Sequence, residues 1–374
     1  MARDSLLSKL VLFPMSRLYG MGVWIRNQMF ERKLLKSVTP EVPVVVVGNI
    51  AAGGTGKTPH AEYILSTLRD RYHVGLLSRG YRRTTKGFVQ GGSHSTPADI
   101  GDEPYQILHK FGGDVSVAVC EKRAEGIERM REIDPDIDLF VLDDAFQHRY
   151  VTPTVAIVLT EYSRPVFSDK LLPYGRLREP VTALNRADIV VVTKCPETMK
   201  PMDVRMFKEK LNLFPFQKLF FSRFVYGHLM PVFPDKVSYV PYLDWLTEDD
   251  TLLIVSGIAN PRPFVRHIRR YRARVNIIRF PDHCAYAATD MAAIQKKFDR
   301  MSGKRKYVIT TEKDAVKLAF NPYFPHKLKS SAFYLPVSVE FTGDASPETF
   351  DTTLEKMIKT KTTPLIPKTN TNLR

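Results

Sequence analysis

Residues 43–60 run Pro-Val-Val-Val-Val-Gly-Asn-Ile-Ala-Ala-Gly-Gly-Thr-Gly-Lys-Thr-Pro-His, and no other stretch constrains the fold as much. The run 44–47 has no polar alternation, so it reads as a strand buried on both faces of a parallel sheet. Gly53, Gly54 and Gly56 then leave successive backbone N–H groups free to approach one anion, with Thr55 between them. Lys57 places a charge at the β/γ-phosphates, and Thr58 offers its hydroxyl to Mg²⁺. Pro59 suits a first helical position, and Ala61, Ile64, Leu65 and Leu68 form an apolar stripe at helical spacing. Strand, glycine-rich turn and helix together predict an α/β fold built on a phosphate-binding loop (P-loop). The strict spacing Gly-x₄-Gly-Lys-Ser/Thr would need glycine at 51, where the chain has Ala51; the flanking strand and helix carry the assignment.

A chain of 374 residues is long for one domain, and two α/β units are expected. Lys and Arg number 55 against 40 Asp and Glu, a net charge of +15 that calls for an anionic partner: nucleic acid, anionic lipid or a phosphorylated substrate. Charge does not choose among these. Cys120, Cys195 and Cys284 are odd in number and widely spaced, so neither a disulfide framework nor a zinc site is indicated, and a reducing cytoplasm fits.

Residues 5–36 mix Leu6, Leu7, Leu10, Phe13, Met21, Trp24 and Ile25 with Lys9, Arg17, Arg26, Arg32, Lys33 and Lys36. No uncharged run approaches the ~18 residues of a spanning helix. The pattern allows a helix lying in an anionic membrane surface, broken near Pro14 and Gly20, and equally a helix packed on the domain.

Residues 73–78 read as a second strand, ending in Ser78-Arg79-Gly80-Tyr81-Arg82-Arg83, and a helix begins after Gly101-Asp102-Glu103-Pro104. Strand ends face the ligand crevice of an open parallel sheet, so Arg79, Tyr81 and Asp102 are candidates to line it. The simpler alternative is that Asp102 and Glu103 only favour a helix N-terminus. Residues 115–119 form a strand, 123–133 a helix, and 138–144 a strand closing on Asp143 and Asp144. Paired carboxylates there suit Mg²⁺ beside a phosphate loop, and which of the two lies closer is open. Strands at 155–159 and 189–193 flank a loop carrying Arg176, Arg178 and Glu179. Arginine forks suit phosphate, and a solvated charged loop is the alternative. The expected organisation is an N-terminal segment 1–36, a core 37–218, a connector 219–240, a second α/β unit 241–358 and a flexible tail 359–374. In the second unit, Phe280-Pro-Asp-His283 and Thr310-Thr-Glu-Lys-Asp314 stand at strand ends.

Taken in order, these motifs resemble the tetraacyldisaccharide 4′-kinase family of lipid A synthesis. The resemblance rests on the phosphate loop, Ser78-Arg-Gly-Tyr, Gly101-Asp-Glu-Pro, Asp143-Asp-Ala-Phe-Gln-His-Arg149, Gly175-Arg-Leu-Arg-Glu-Pro180, Ser256-Gly-Ile-Ala-Asn-Pro261, Phe280-Pro-Asp-His283 and Thr311-Glu-Lys-Asp314. Ala145, Arg82 and Cys284 depart from common family residues without removing a proposed catalytic group.

The resemblance implies a P-loop NTPase core with a parallel sheet plus a second, smaller α/β domain, joined by a short β-ribbon. It implies ATP and Mg²⁺ as cofactors and transfer of the γ-phosphoryl group to the 4′-hydroxyl of an acylated glucosamine disaccharide 1-phosphate. Gly53, Gly54, Thr55, Gly56, Lys57 and Thr58 would hold the nucleotide, and Thr58, Asp143 and Asp144 the metal. Asp102 and His283, with Lys57, would be catalytic, while Tyr81, Gln147, Arg178 and Glu179 would address the lipid headgroup. A monomer on the cytoplasmic face of the bacterial inner membrane is expected, with no nucleic-acid partner. The rival is a membrane-associated nucleotide switch binding a protein. Thr193-Lys194 faintly resembles a guanine-reading loop, but Pro196 stands where that loop needs an acid.

Overall fold

The computed structural model describes residues 8–282, 284–342 and 348–362. Among them β1 (Val44–Asn49), β2 (Val74–Ser78), β3 (Val89–Gln90), β4 (Val115–Val119), β5 (Leu139–Asp143), β6 (Val155–Glu161), β7 (Ile189–Thr193) and β8 (Lys218–Tyr226) build a nine-stranded sheet with the late strand Val337–Thr342. Then β9 (Met230–Pro231), β10 (Thr251–Ser256), β11 (Arg274–Arg279), β12 (Lys306–Thr311) and β13 (Ala332–Leu335) build a five-stranded sheet, after which β14 (Val337–Thr342) returns to the first. The large sheet has the order β14-β8-β7-β6-β1-β5-β2-β4-β3, parallel from β8 to β4 and antiparallel at both edges.

The helices follow the strands: α1 (Phe13–Glu31), α2 (Lys57–Leu68), α3 (Pro97–Ile100), α4 (Asp102–Phe111), α5 (Arg123–Ile133), α6 (Pro201–Leu211), α7 (Arg262–Ile268), α8 (Ala288–Arg300), α9 (Glu312–Ala319) and α10 (Phe350–Thr362). Successive strand side chains point to opposite faces. Val45 and Val47 of β1 therefore join Ile64, Leu65 and Leu68 of α2 with Phe350, Leu354 and Ile358 of α10, whereas Val44 and Val46 join Ile127 and Met130 of α5 and Phe207 of α6. Helices on both faces are why the run 44–47 carries no polar residue. Parallel pairing sets Val47 opposite Asp143, so the carboxylates ending β5 lie beside the start of the phosphate loop.

Residues 219–240 span both sheets, since β8 belongs to the large one and β9 pairs with β13 in the small one. β14 and α10, within the stretch 241–358, pack on the large sheet, so the chain leaves it through β8 and re-enters beside it through β14. Of the tail expected from 359, residues 359–362 complete α10, and residues 363–374 lie outside the described residues, as do residues 1–7 and His283.

α1 is one continuous helix rather than two pieces broken near Pro14 and Gly20. Pro14 lies in its first turn, where a π-helical turn (Ser8–Leu12) passes into α1, and Gly20 admits Leu171, whose Cδ1 would stand 2.8 Å from an added Cβ. The helix docks through polar groups: Ser16 Oγ donates to Leu171 O (2.9 Å), Tyr19 Oη to Arg178 O (2.9 Å) and Arg26 Nη2 to Gln147 O (3.0 Å). Its apolar side chains Leu18, Met21, Trp24 and Ile25 face outward.

Candidate active site

The loop from Ile50 to Gly56 joins β1 to α2 with left-handed backbone at Gly53 (φ +116°) and Gly56 (φ +91°). An added Cβ at Gly56 would lie 2.6 Å from Phe224 Cζ, whereas one at Gly54 would meet nothing within 4 Å. Neighbours brace the loop from behind. Asn49 Nδ2 donates to Thr55 Oγ1 (2.8 Å), Thr193 Oγ1 donates to Thr55 O (2.8 Å), and Lys194 Nζ donates to Gly54 O. His60 donates from Nδ1 to Gly56 O (2.7 Å), which leaves Nε2 to accept from Ser222 Oγ (2.8 Å). Burial pushes the His60 pKa down to about 4, so the ring is neutral.

Lys57 opens α2, and its Nζ lies 3.5 Å from Asp144 Oδ1. Asp144 adopts a left-handed conformation (φ +48°), and Arg178 Nη1 stands 3.7 Å from its Oδ2. Asp143 is buried behind it; desolvation first, then the Asp144 charge, pushes its pKa up to about 7, against the pull of Lys57. Asp143 Oδ1 and Asp144 Oδ1 are both buried without a hydrogen-bond partner. Two adjacent carboxylates whose Oδ1 atoms accept no hydrogen bond, next to the Lys57 that opens α2, fit a magnesium ion. Such an ion keeps waters and takes substrate phosphates, so it needs only one or two carboxylates, and among the described residues no larger His, Cys, Asp or Glu cluster is present.

Asp102 is the first residue of α4, following Gly101 (φ +92°), where an added Cβ would sit 3.2 Å from Gly80 and from Tyr81 O. The Gly80–Gly101 contact thus brings the turn after β2 against the start of α4. Burial raises the Asp102 pKa, and Lys317, whose Nζ is 3.4 Å from Oδ2, opposes the rise. Tyr81 is exposed, with the Arg82 guanidinium 5.6 Å from its ring centre. His283 lies outside the described residues, just beyond Asp282.

The headgroup candidates divide. Arg178 reaches Asp144 at the mouth, but Gln147 is engaged within the protein, donating from Nε2 to Asn49 O (2.5 Å). Glu179 is buried: Arg186 Nη2 donates to its Oε2 (2.5 Å), while Oε1 has no partner. The site therefore gathers Lys57, Asp143, Asp144 and Arg178 around the loop, and ties Asp102 to a helix of the second sheet. Sequence reading missed Asn49, His60 and Lys317, whose partners are set by the fold, and gave Thr193-Lys194 a base-reading comparison where the two residues support the loop.

A family model described as tetraacyldisaccharide-1-P 4′-kinase matches residues 8–359. The chain is 45% identical over 336 residues to a tetraacyldisaccharide 4′-kinase of Bacteroides thetaiotaomicron, spanning 88% of each. It is 37% identical over 349 residues to that of Flavobacterium johnsoniae, spanning 93% of this chain and 97% of the relative. Among solved structures it resembles an LpxK of Aquifex aeolicus crystallised in complex with ATP, with TM-score 0.70, 27% identity and coverage of 97% of this chain and 100% of that one.

Proposed function

Because the chain belongs to the tetraacyldisaccharide-1-P 4′-kinase family, we propose that its reaction runs in the crevice where β1 and β5 end. The activity is that of an ATP-dependent kinase, which transfers the γ-phosphoryl group to the 4′-hydroxyl of tetraacyldisaccharide 1-phosphate. The observation that carries the siting is the Lys57 ammonium 3.5 Å from Asp144 Oδ1, next to the buried Asp143 whose Oδ1 accepts no hydrogen bond, in a loop whose Gly54 leaves open space.

Phosphoryl transfer asks the protein mainly to position in-line groups and to stabilise charge. Backbone N–H groups of Gly53, Gly54, Thr55 and Gly56 cradle the β/γ-phosphates, and Lys57 compensates their charge. Thr58, Asp143 and Asp144 hold Mg²⁺, which when bound offsets the charge gathering on the phosphate oxygens. Asp102 takes the proton of the acceptor hydroxyl, with His283 as its partner. Arg178 and Tyr81 address the sugar headgroup, while Glu179 and Gln147, engaged by Arg186 and the Asn49 carbonyl, support that wall of the crevice from within. The outward apolar side chains of α1 support peripheral attachment to the cytoplasmic membrane face, where the acylated substrate resides, and no described helix is long and apolar enough to cross a membrane. We take the working unit to be a monomer.

The test is transfer of labelled γ-phosphate from ATP to the disaccharide monophosphate in detergent micelles with Mg²⁺. Label is expected in the lipid, and Lys57→Ala is expected to lower the rate by about 100-fold or more with its thermal midpoint kept. Label released only as free phosphate, or a fully active Lys57→Ala, would overturn the reading.

A further inference from the structure

The helix α4 that begins with Asp102 is packed against α9 of the second lobe along a seam of complementary charge. Lys317 Nζ lies 3.4 Å from Asp102 Oδ2, and Lys313 Nζ lies 2.9 Å from Glu103 Oε1. One turn apart on α9, the two lysines share a face, and they meet the two acids that open α4. Apolar contacts fix the docking between them: Val316 packs on Ile100, Tyr105 and Val119, and the Phe320 ring meets Tyr105 edge-on at 5.1 Å.

Lys317 differs from the rest of the seam. Its side chain is only 9% exposed, and its ammonium makes no hydrogen bond among the described residues, so the Asp102 oxygen is its one close counter-charge. A buried ammonium held by a single carboxylate is a costly way to join two helices. Lys313, more exposed at 25%, and Lys110, which lies 3.3 Å from Glu312 Oε1, already supply ordinary pairs across the same seam. What Lys317 adds is a fixed contact on the Asp102 carboxylate itself.

We infer that Lys317 is a positioning residue for phosphoryl transfer: carried by the second lobe, it holds one oxygen of Asp102 and leaves the other for the acceptor hydroxyl. Closure of the lobes and alignment of the base are then a single event. Burial raises the Asp102 pKa, and the Lys317 ammonium works against that rise, with Lys313 aiding and Glu103 opposing. The inference rests on the reading of Asp102 as the base.

Four proteins separate the two ideas: the parent, Lys317→Met, Asp102→Asn and the double variant, with kcat, KM for ATP and thermal midpoint measured on each. Lys317→Met should lower kcat by roughly 10- to 100-fold while KM for ATP stays within about twofold. On the Asp102→Asn background the same substitution should cost about twofold or less, because residues acting as one unit are non-additive on removal. Lys317→Gln, which fills similar space, takes the place of Lys317→Met under the same criteria if the latter does not fold. A parent-like kcat in Lys317→Met beside a severely impaired Asp102→Asn would overturn the inference and leave the base reading standing. So would a loss that recurs undiminished in the double variant. An Asp102→Asn protein within about fivefold of the parent would remove the base reading and the inference with it.

Discussion

Gly54 and Gly56 stand two residues apart in one loop, and the structure requires glycine at them for different reasons. Alanine at Gly56 would meet both a left-handed backbone and the Phe224 ring at 2.6 Å, so Gly56→Ala should destabilise the fold by about 1–3 kcal/mol. Alanine at Gly54 meets no protein atom within 4 Å, and Gly54→Ala should leave urea stability within about 0.5 kcal/mol while raising KM for ATP, because its methyl enters the anion cradle. Normal ATP affinity in Gly54→Ala would take the nucleotide away from this loop. His60 gives a pH signature. Its folded pKa of about 4 lies below the ordinary value of 6.5, so the unfolded chain binds more protons between these limits. The stability contribution is complete above pH 6.5 and is lost as pH falls toward 4, a few kcal/mol at most. His60→Gln should therefore flatten the fall in urea stability between pH 7 and about 4.5; the slope should persist in part, since His148 is also pushed down to about 4. An unchanged slope would mean that His60 is not held neutral. Lys57 and the Asp143–Asp144 pair were legible in sequence because one local motif and one strand end define them. The partner of His60 was not, since Ser222 is far along the chain and meets it only through the pairing of β8 with β7.

At the scale of elements, legibility followed burial. β1, β5, β6 and β7 are buried throughout and read as uninterrupted apolar runs, whereas β14 is an edge strand with alternating exposure and gives a weak signal. α10 has apolar residues at helical spacing in Phe350, Leu354 and Ile358, but the polar chain that follows masks it. α1 shows why composition alone left two readings open. Its docking face combines hydrogen bonds from Ser16, Tyr19 and Arg26 with the buried Phe30 against Tyr150, while its exposed face carries several large apolar side chains. The helix is thus docked on the protein and also presents Leu18, Met21 and Trp24 outward. Replacing these three with glutamine should leave the thermal midpoint within a few degrees, because exposed positions rarely carry more than about 0.5 kcal/mol each. Co-sedimentation with anionic vesicles should fall sharply, and the residual binding should weaken with salt as screening shortens toward about 8 Å. Vesicle binding equal to the parent's would exclude α1 as the attachment surface.

At the scale of the molecule, the two lobes are joined by more than the strands β8 and β14. Lys110 on α4 donates to Glu62 Oε2 on α2 (2.6 Å) and approaches Glu312 Oε1 on α9 (3.3 Å), so one ammonium spans the phosphate-loop helix, the Asp102 helix and the second lobe. Glu312 Oε2 also accepts from Val337 N (3.2 Å), at the start of the strand that re-enters the large sheet. None of this could be read from sequence, where Glu62, Lys110 and Glu312 are three ordinary charges in separate helices. Glu62 is buried and, among the described residues, keeps only Gln106 Nε2 (2.7 Å) as a side-chain donor once Lys110 is removed. Lys110→Met should therefore cost about 1–3 kcal/mol, the lower part of the range for breaking a buried pair because the lysine itself is partly exposed. Burial, then the Glu312 charge, already pushes the Glu62 pKa up to about 7, and without Lys110 it rises further; adding Glu62→Gln removes this poorly solvated carboxyl and should recover most of that loss, since a neutral amide can still bond to Gln106. Urea denaturation of the parent, the two single variants and the double variant decides it. Recovery in the double marks Lys110 and Glu62 as one coupled pair linking α4 to the phosphate-loop helix, whereas simple addition of the single losses would mean that the two side chains contribute independently.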